Sequence, residues 1–310
     1  MDVTTGSSKP GDRIDIAFGV DGNYAAHLAA VVSSVSRSAP QRAFRFIVLF
    51  ENFPEEKRRK LEAVAPGSEF CWVELDESRF VGFNDHEHFT RAIMFRLGLA
   101  ELAPADCHRV IYLDADLIVT SDIGELWQTD LNGAAIGAVC DCFVNSEEFA
   151  TKWGLVADAT AYFNSGVLLI DLETCRREGL FDKALAFVAE HGDTLWFTDQ
   201  DALNWTFAGN WHRLDNRWNV QRHMVIPSLS EMIDTHLRLD DQKPAIVHFT
   251  GPEKPWLPDV YHPWAWIYWR ALRGTGFEAD VAKRYEMTTL GKGRVWSRWA
   301  RHRWHAAALL

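Results

Sequence analysis

Short apolar runs, separated by polar stretches marked with Gly and Pro, set the rhythm of the chain. Ile14–Phe18, Phe44–Phe50 and Phe70–Leu75 have strand length and strand composition. Between them, GVDGNYAAHLAAVVSSVSRS opens as a Gly-punctuated loop and continues as an Ala/Val-rich helix, and Pro54–Val64 forms a charged amphipathic helix. Strands alternating with helices predict a parallel sheet here. A polar and aromatic loop, Phe80–His88, leads to a helix over Arg91–Leu102 and then into RVIYLDADLIVT, Arg109–Thr120. Further strands are expected at Ala134–Val139, Tyr162–Asp171 and Ala245–Phe249, with helices over Leu180–Glu190 and from the Asp199-Gln200-Asp201 cluster onward. The fold class is α/β.

Within RVIYLDADLIVT, the run Val110–Leu113 delivers Asp114 and Asp116, and Leu117–Val119 carries the chain away. In extended backbone, residues i and i+2 point to the same side, so both carboxylates can reach one ligand. A divalent cation would offset their repulsion. The plainer alternative is a polar strand-to-loop transition, but the apolar mount on both sides favours a site.

Other strand ends carry related chemistry. Asp21 and Asn23 lie between the first strand and its helix, where they can contact a base or ribose or cap the helix. Arg96 sits among apolar neighbours and needs a partner, either a structural ion pair or an anion or carboxylate at the site. Asn164, Ser165 and Gly166 open the strand ending at Asp171, and Gly166 allows close approach of a backbone or ligand. Of Asp199, Gln200 and Asp201, one is a plain helix cap, and the others exceed what a cap requires. His248 ends the last strand and is followed by Gly251 and Lys254, a set suited to a metal-bound diphosphate.

Composition narrows the class. At 310 residues, 47% of them hydrophobic, the chain can bury a full core. No apolar run reaches membrane-spanning length and no apolar signal segment opens the chain, so a cytoplasmic location is expected. Cys71, Cys107, Cys140, Cys142 and Cys175 are irregularly spaced and read as reduced thiols. The net charge of -11 argues against nucleic acid as a partner. Residues 281–310 nevertheless carry +6, leaving -17 on the rest.

Five ordered stretches together resemble glycosyltransferase family 8: FGVDGNYAAH (Phe18–His27), RVIYLDADLIV (Arg109–Val119), FNSGVLLID (Phe163–Asp171), TDQDALN (Thr198–Asn204) and HFTGPEKPW (His248–Trp256). The likeness is strongest to bacterial lipooligosaccharide and lipopolysaccharide galactosyl- and glucosyltransferases. It implies a GT-A fold, a Rossmann-like mixed sheet flanked by helices, spanning residues 14–270 after a flexible stretch at 1–13. It also implies transfer of a hexose from a UDP-sugar with retained anomeric configuration, using Mn²⁺ or Mg²⁺. Asp114, Asp116 and His248 match the metal ligands, and the intervening Ala115 belongs to the same donor-binding segment. Gly19, Asp21, Asn23 and Tyr24 match the uridine loop, although Gly19 and Gly22 depart from Ala- and Asp-bearing relatives. Arg96 matches a basic residue near sugar and diphosphate. Asn164 and Ser165 match sugar contacts, with Ser165 in place of the usual Ala. Asp199 and Gln200 match catalytic positions at the sugar, and Gly251 and Lys254 match the diphosphate loop. The acceptor is expected to be a sugar hydroxyl on a glycan or glycolipid.

The same residues admit two rivals, a haloacid-dehalogenase-type phosphatase using Asp114-Ala115-Asp116 and a non-catalytic sugar-nucleotide binder. Residues 271–310 read as a basic, aromatic tail. Drawn as a helix, Arg294–Leu310 puts Arg294, Arg298, Arg301 and His305 on one face and Trp296, Trp299 and Trp304 on another, the make-up of an interfacial helix that contacts an anionic membrane; the plainer alternative is a C-terminal helix packed on the domain, its arginines pairing with the negative body. Deleting 281–310 is expected to abolish liposome binding and leave the donor site intact.

Overall fold

Apolar alternation along the strands puts a helical layer on each face of one mixed sheet. The computed structural model describes residues 13–75, 91–156, 161–226, 229, 232–239, 242–258, 260, 262–288, 291, 293 and 297. The expected loop at 80–88, the N-terminal stretch 1–12 and, Ser297 aside, the tail helix 294–310 lie outside them.

The strands are β1 (Arg13–Asp21), β2 (Ala43–Glu51), β3 (Glu69–Glu74), β4 (Arg109–Leu113), β5 (Leu117–Val119), β6 (Ile136–Cys140), β7 (Phe163–Asp171), β8 (His212–Arg213) and β9 (Ile246–His248). Seven of them form a sheet in the order β3-β2-β1-β4-β7-β6-β8, while β5 and β9 form a separate ribbon. The predicted parallel pairing holds for β3, β2, β1 and β4. It stops at β7, which runs antiparallel to both β4 and β6, so the sheet as a whole is mixed, as the GT-A resemblance implies.

Along β1, Ile14, Ile16, Phe18 and Val20 join Phe44, Phe46, Val48 and Phe50 of β2 in one core, and Ala17, Ile47 and Leu49 face the other. The first core packs on α1 (Ala25–Ser38) and on the C-terminal helices. Ten of the 14 residues of α1 are buried, as its Ala/Val-rich sequence requires of a helix covered on more than one side. Covering the second face are α3 (Leu99–Leu102), α6 (Leu172–Glu178), α7 (Leu180–His191) and α8 (Thr198–Thr206). The remaining helices up to α8 are α2 (Glu55–Glu62), α4 (Gly124–Trp127) and α5 (Ser146–Trp153).

Three sequence expectations need amendment. The helix over Arg91–Leu102 is a 3₁₀ helix at Arg91–Gly98 that becomes α-helical only as α3. Phe95, Arg96 and Leu97 are consecutive and all buried, so no amphipathic period marks this element. Helices α5 and α6 give no hydrophobic signal and start instead at side-chain caps, Asn145 and Asp171. The stretch after residue 270 is also more than a tail. It contains α9 (Ala265–Leu272, which begins before it) and α10 (Glu278–Arg284), and Phe277, Val281 and Met287 are buried in the first core. Among the described residues no helix is long and apolar enough to cross a membrane, and all five cysteines are free.

Candidate active site

Register places the three expected metal ligands together. Asp114 directly follows β4, and its backbone N–H donates to the Gly166 carbonyl at 2.9 Å, which ties the strand end to β7. In the β5/β9 ribbon, Leu117 lies opposite His248, and the Phe249 N–H donates to the Asp116 carbonyl at 2.9 Å. His248 Nε2 thereby comes within 3.1 Å of Asp116 Oδ1 and 3.7 Å of Asp114 Oδ2. Gly166 makes this possible, because a Cβ there would stand 2.2 Å from His248 Cε1 and 2.6 Å from Asp114 Oδ2. The close approach foreseen at Gly166 is thus to the ligand side chains.

Two cations back the carboxylates. Lys254 Nζ donates to Asp116 Oδ2 and to the Phe249 carbonyl. The loop between them turns at Gly251, whose φ of 77° is a left-handed conformation that favours glycine. Burial works to raise the Asp116 carboxyl, but the Lys254 ammonium beside it overcomes this and holds the group well below the usual carboxylate range. Arg96, 5% exposed, donates to Asp114 Oδ1 at 2.8 Å and to the Ser165 carbonyl at 2.7 Å. Its Nε lies 2.8 Å from Asp199 Oδ2, an ionic contact in which the N–H is not aimed at the oxygen. Of the partners expected for Arg96 the structure supplies carboxylates, and these lie at the site itself. Burial, reinforced by the negative charge of Asp114 and opposed by Arg96, raises the Asp199 carboxyl to about 6.

These groups line a cleft of about 550 Å³. Of the expected residues, Gly19, Tyr24, Arg96, Asp114, Ala115, Asp116, Asn164, Ser165, Asp199, Gln200, His248, Gly251 and Lys254 face it. Asp21 and Asn23 do not. Asp21 Oδ1 instead accepts the N–H groups of Asn23 (2.7 Å) and Tyr24 (3.2 Å), shaping the loop before α1. Asp201 is fully buried, one oxygen accepting from the Tyr162 hydroxyl and the other from the Trp196 N–H, so it is the structural member of its cluster. Gln200 Oε1 accepts the Ser165 N–H at 2.9 Å, and its amide nitrogen reaches Asp141 Oδ2 at 3.3 Å.

Sequence reasoning missed Tyr112, Asp141, Phe143, Phe197 and Thr250 in the lining. Asp141 follows β6 much as Asp114 follows β4, and a carboxylate at a strand end was the available signal. Phe143 and Phe197 remain 48% and 43% exposed, giving the polar cleft an aromatic border.

The donor set fits a divalent cation. One ligand atom from each of Asp114, Asp116 and His248 lies within 4.8 Å of the others. Two hard carboxylates with one imidazole suit Mn²⁺ or Mg²⁺ and leave positions open for a substrate.

Comparison with known proteins agrees with this geometry. Residues 15–259 match the model of glycosyl transferase family 8. The chain is 30% identical over 264 residues to general stress protein A of Bacillus subtilis (strain 168), covering 82% of this chain and 91% of that protein. It is 27% identical over 275 residues to the lipopolysaccharide 1,3-galactosyltransferase of Salmonella typhimurium, covering 85% and 77%. Among solved structures, galactosyltransferase LgtC in complex with donor and acceptor sugar analogs superposes with a TM-score of 0.70 at 30% identity, covering 88% of this chain and 96% of that one.

Proposed function

The chain belongs to glycosyltransferase family 8, and from that premise we propose that it is a metal-dependent, retaining hexosyltransferase. It moves galactose or glucose from a UDP-sugar to a sugar hydroxyl on a lipopolysaccharide or other glycan acceptor. With this membership the phosphatase reading of Asp114-Ala115-Asp116 falls away. The observation that carries the proposal is the convergence of Asp114, Asp116 and His248 in a cleft that also holds Arg96 and Lys254.

Mn²⁺ or Mg²⁺ held by Asp114, Asp116 and His248 would supply Lewis acidity to the donor diphosphate. Lys254, on the Gly251 turn, adds positive charge where the leaving diphosphate gains negative charge. Arg96 keeps Asp114 and Asp199 oriented. In the transfer, the bond between sugar C1 and the phosphate oxygen breaks, its electron pair going to that oxygen. The acceptor hydroxyl oxygen bonds C1 from the same face, and its proton passes to the leaving phosphate oxygen.

Same-face attack is supported by the state of the alternatives. Gln200 is an amide, a poor nucleophile, and its oxygen is already bound by Ser165. Both oxygens of Asp201 are engaged, and Asp199 is held by Arg96. Gln200 and Asp199 then position the sugar and offset charge developing at C1. The basic, Trp-containing stretch Arg294–Leu310 is assigned to an anionic membrane surface, which would suit a glycolipid acceptor.

A thermal-shift panel of UDP-sugars with and without Mn²⁺ tests the reading, because a ligand that binds only the folded state raises its stability. The expected result is a rise in Tm with UDP-galactose or UDP-glucose that requires Mn²⁺, followed by UDP release when acceptor glycan is added. Asp116→Asn should fold and lose the Mn²⁺-dependent shift. Sugar transfer by Asp116→Asn at a near wild-type rate would overturn the assignment.

A further inference from the structure

Behind the ligand cluster, side-chain amides pass hydrogen bonds in one direction. Asp141, 6% exposed, accepts the Phe143 and Val144 N–H groups on Oδ1 at 2.7 and 3.2 Å. Its Oδ2 accepts Asn164 Nδ2 at 2.9 Å and Gln200 Nε2 at 3.3 Å. A carboxylate receiving two backbone N–H groups on one oxygen must be met on the other by an amide nitrogen, so Asn164 turns its Nδ2 toward Asp141. Asn164 Oδ1 therefore faces the other way, where it accepts the Gly166 N–H at 3.1 Å and Asn219 Nδ2 at 2.8 Å. Asn219, with no exposed surface, is left presenting Oδ1 to His248 Nδ1 at 2.9 Å. An amide oxygen only accepts, so the imidazole proton sits on Nδ1. The unprotonated Nε2 then looks toward Asp114 and Asp116. Flipping Asn164 would set its oxygen against Asp141, and flipping Asn219 would set its oxygen against Asn164 Oδ1.

We propose that Asn219 is a positioning residue for the metal site, fixing the tautomer and ring plane of His248 so that Nε2 is ready to ligate before any cation arrives. The inference rests on the metal-dependent reading above. Its purpose follows from the competing state. A neutral imidazole in water prefers its proton on Nε2, and that N–H would find Asp116 Oδ1 only 3.1 Å away. The resulting hydrogen bond would close the metal position with the protein's own ligands. By accepting from Nδ1, Asn219 removes the donor from Nε2 and leaves converging lone pairs that only a cation satisfies. The same relay links the ligand, through Asn164 and Asp141, to Gln200 on the cleft wall.

Mn²⁺ binding followed by electron paramagnetic resonance, in the presence of UDP, tests this on wild type, Asn219→Ala and Asn219→Asp. Asn219→Ala should weaken Mn²⁺ binding by about 10- to 100-fold, the range seen when such outer partners are removed. Asn219→Asp keeps an acceptor for Nδ1–H and should stay within a few-fold of wild type despite losing the bond to Asn164. In ¹⁵N spectra of the metal-free wild type, His248 should carry its proton on Nδ1. Equal Mn²⁺ affinity in Asn219→Ala and wild type, or a His248 proton on Nε2 in wild type, overturns the proposal. A purely structural role would lower Tm in both variants with no change in affinity for Mn²⁺. If wild type itself binds no Mn²⁺, the metal reading fails, while the ¹⁵N measurement still decides whether the relay sets the tautomer.

Discussion

His27 shows how a single buried side chain ties this protein's stability to pH. Its Nδ1 lies 2.8 Å from the Tyr268 hydroxyl, its Nε2 lies 3.2 Å from that of Tyr285, and its ring stacks on Trp256 at 3.7 Å between centroids. Burial first, then the positive charge of Arg284, lowers its pKa from 6.5 to about 3, and burial does the same to His262. Between pH 6.5 and 3 the unfolded chain therefore binds protons at these histidines that the folded chain refuses. Stability falls with added acid, by at most about 1.4 kcal/mol per pH unit per histidine. Asp199, raised to about 6, opposes this over the part of the window below pH 6, where its folded form holds the extra proton. Burial raises Asp201 as well, but His223, Asp106 and Asp122 are lowered and act with the two histidines, which leaves the net slope positive. Urea unfolding should give a lower midpoint at pH 5 than at pH 7.5, and His27→Asn should narrow the gap, whereas an unchanged gap would count against the assignment. None of this was legible in the sequence, where His27 is one polar residue in an Ala/Val helix. Asp114 and Asp116 were legible because apolar runs on both sides made them conspicuous. Asn219 was not singled out, although an uncharged polar residue between Trp218 and Val220 is itself a sign of burial.

At the scale of elements, α10 acts as a brace for the loop before α1. Arg284 Nη1 donates to the Asn23 carbonyl at 2.9 Å, and from the other side Lys57 Nζ donates to the Gly22 carbonyl at 2.8 Å. Val281 and Met287 anchor this end of the chain in the core. The two kinds of contact predict separable effects. Met287→Ala should cost about 2–5 kcal/mol of stability, as large-to-small core changes do, with UDP affinity preserved in the folded protein. Arg284→Ala should leave Tm nearly unchanged and weaken UDP binding about five-fold, the equivalent of roughly 1 kcal/mol for one exposed charge-assisted hydrogen bond. Isothermal titration with UDP beside a melting curve reads both. Strand positions were largely legible from apolar runs, to within a few residues at each end. What the runs could not carry was the reversal of direction at β7 or the departure of β5 from the sheet, because both depend on partners far along the chain.

For the molecule as a whole, the opposition between a body of charge -17 and a stretch of +6 over 281–310 takes on a different boundary once packing is considered. Met287 is the last residue of the hydrophobic core among the described residues and Thr288 is exposed, so residue 288 is the place to cut. A chain ending there should keep its UDP-dependent thermal shift and lose binding to anionic liposomes, the removed Lys and Arg residues contributing roughly 1 kcal/mol each at such a surface. Equal sedimentation of the shortened and full-length chains with those liposomes would end the membrane assignment. The β5/β9 ribbon has a further consequence, for the protein during its own synthesis. Asp116 and the His248 that completes its cluster are separated by 132 positions. A nascent chain that has emerged only through its aspartates holds carboxylates with no imidazole, no Lys254 and no α10 to brace the donor loop. Under the proposed function, competence to engage an activated sugar therefore arrives only after His248, Lys254 and α10 have been made, and a translation product ending before them would have no means of spending the donor on water.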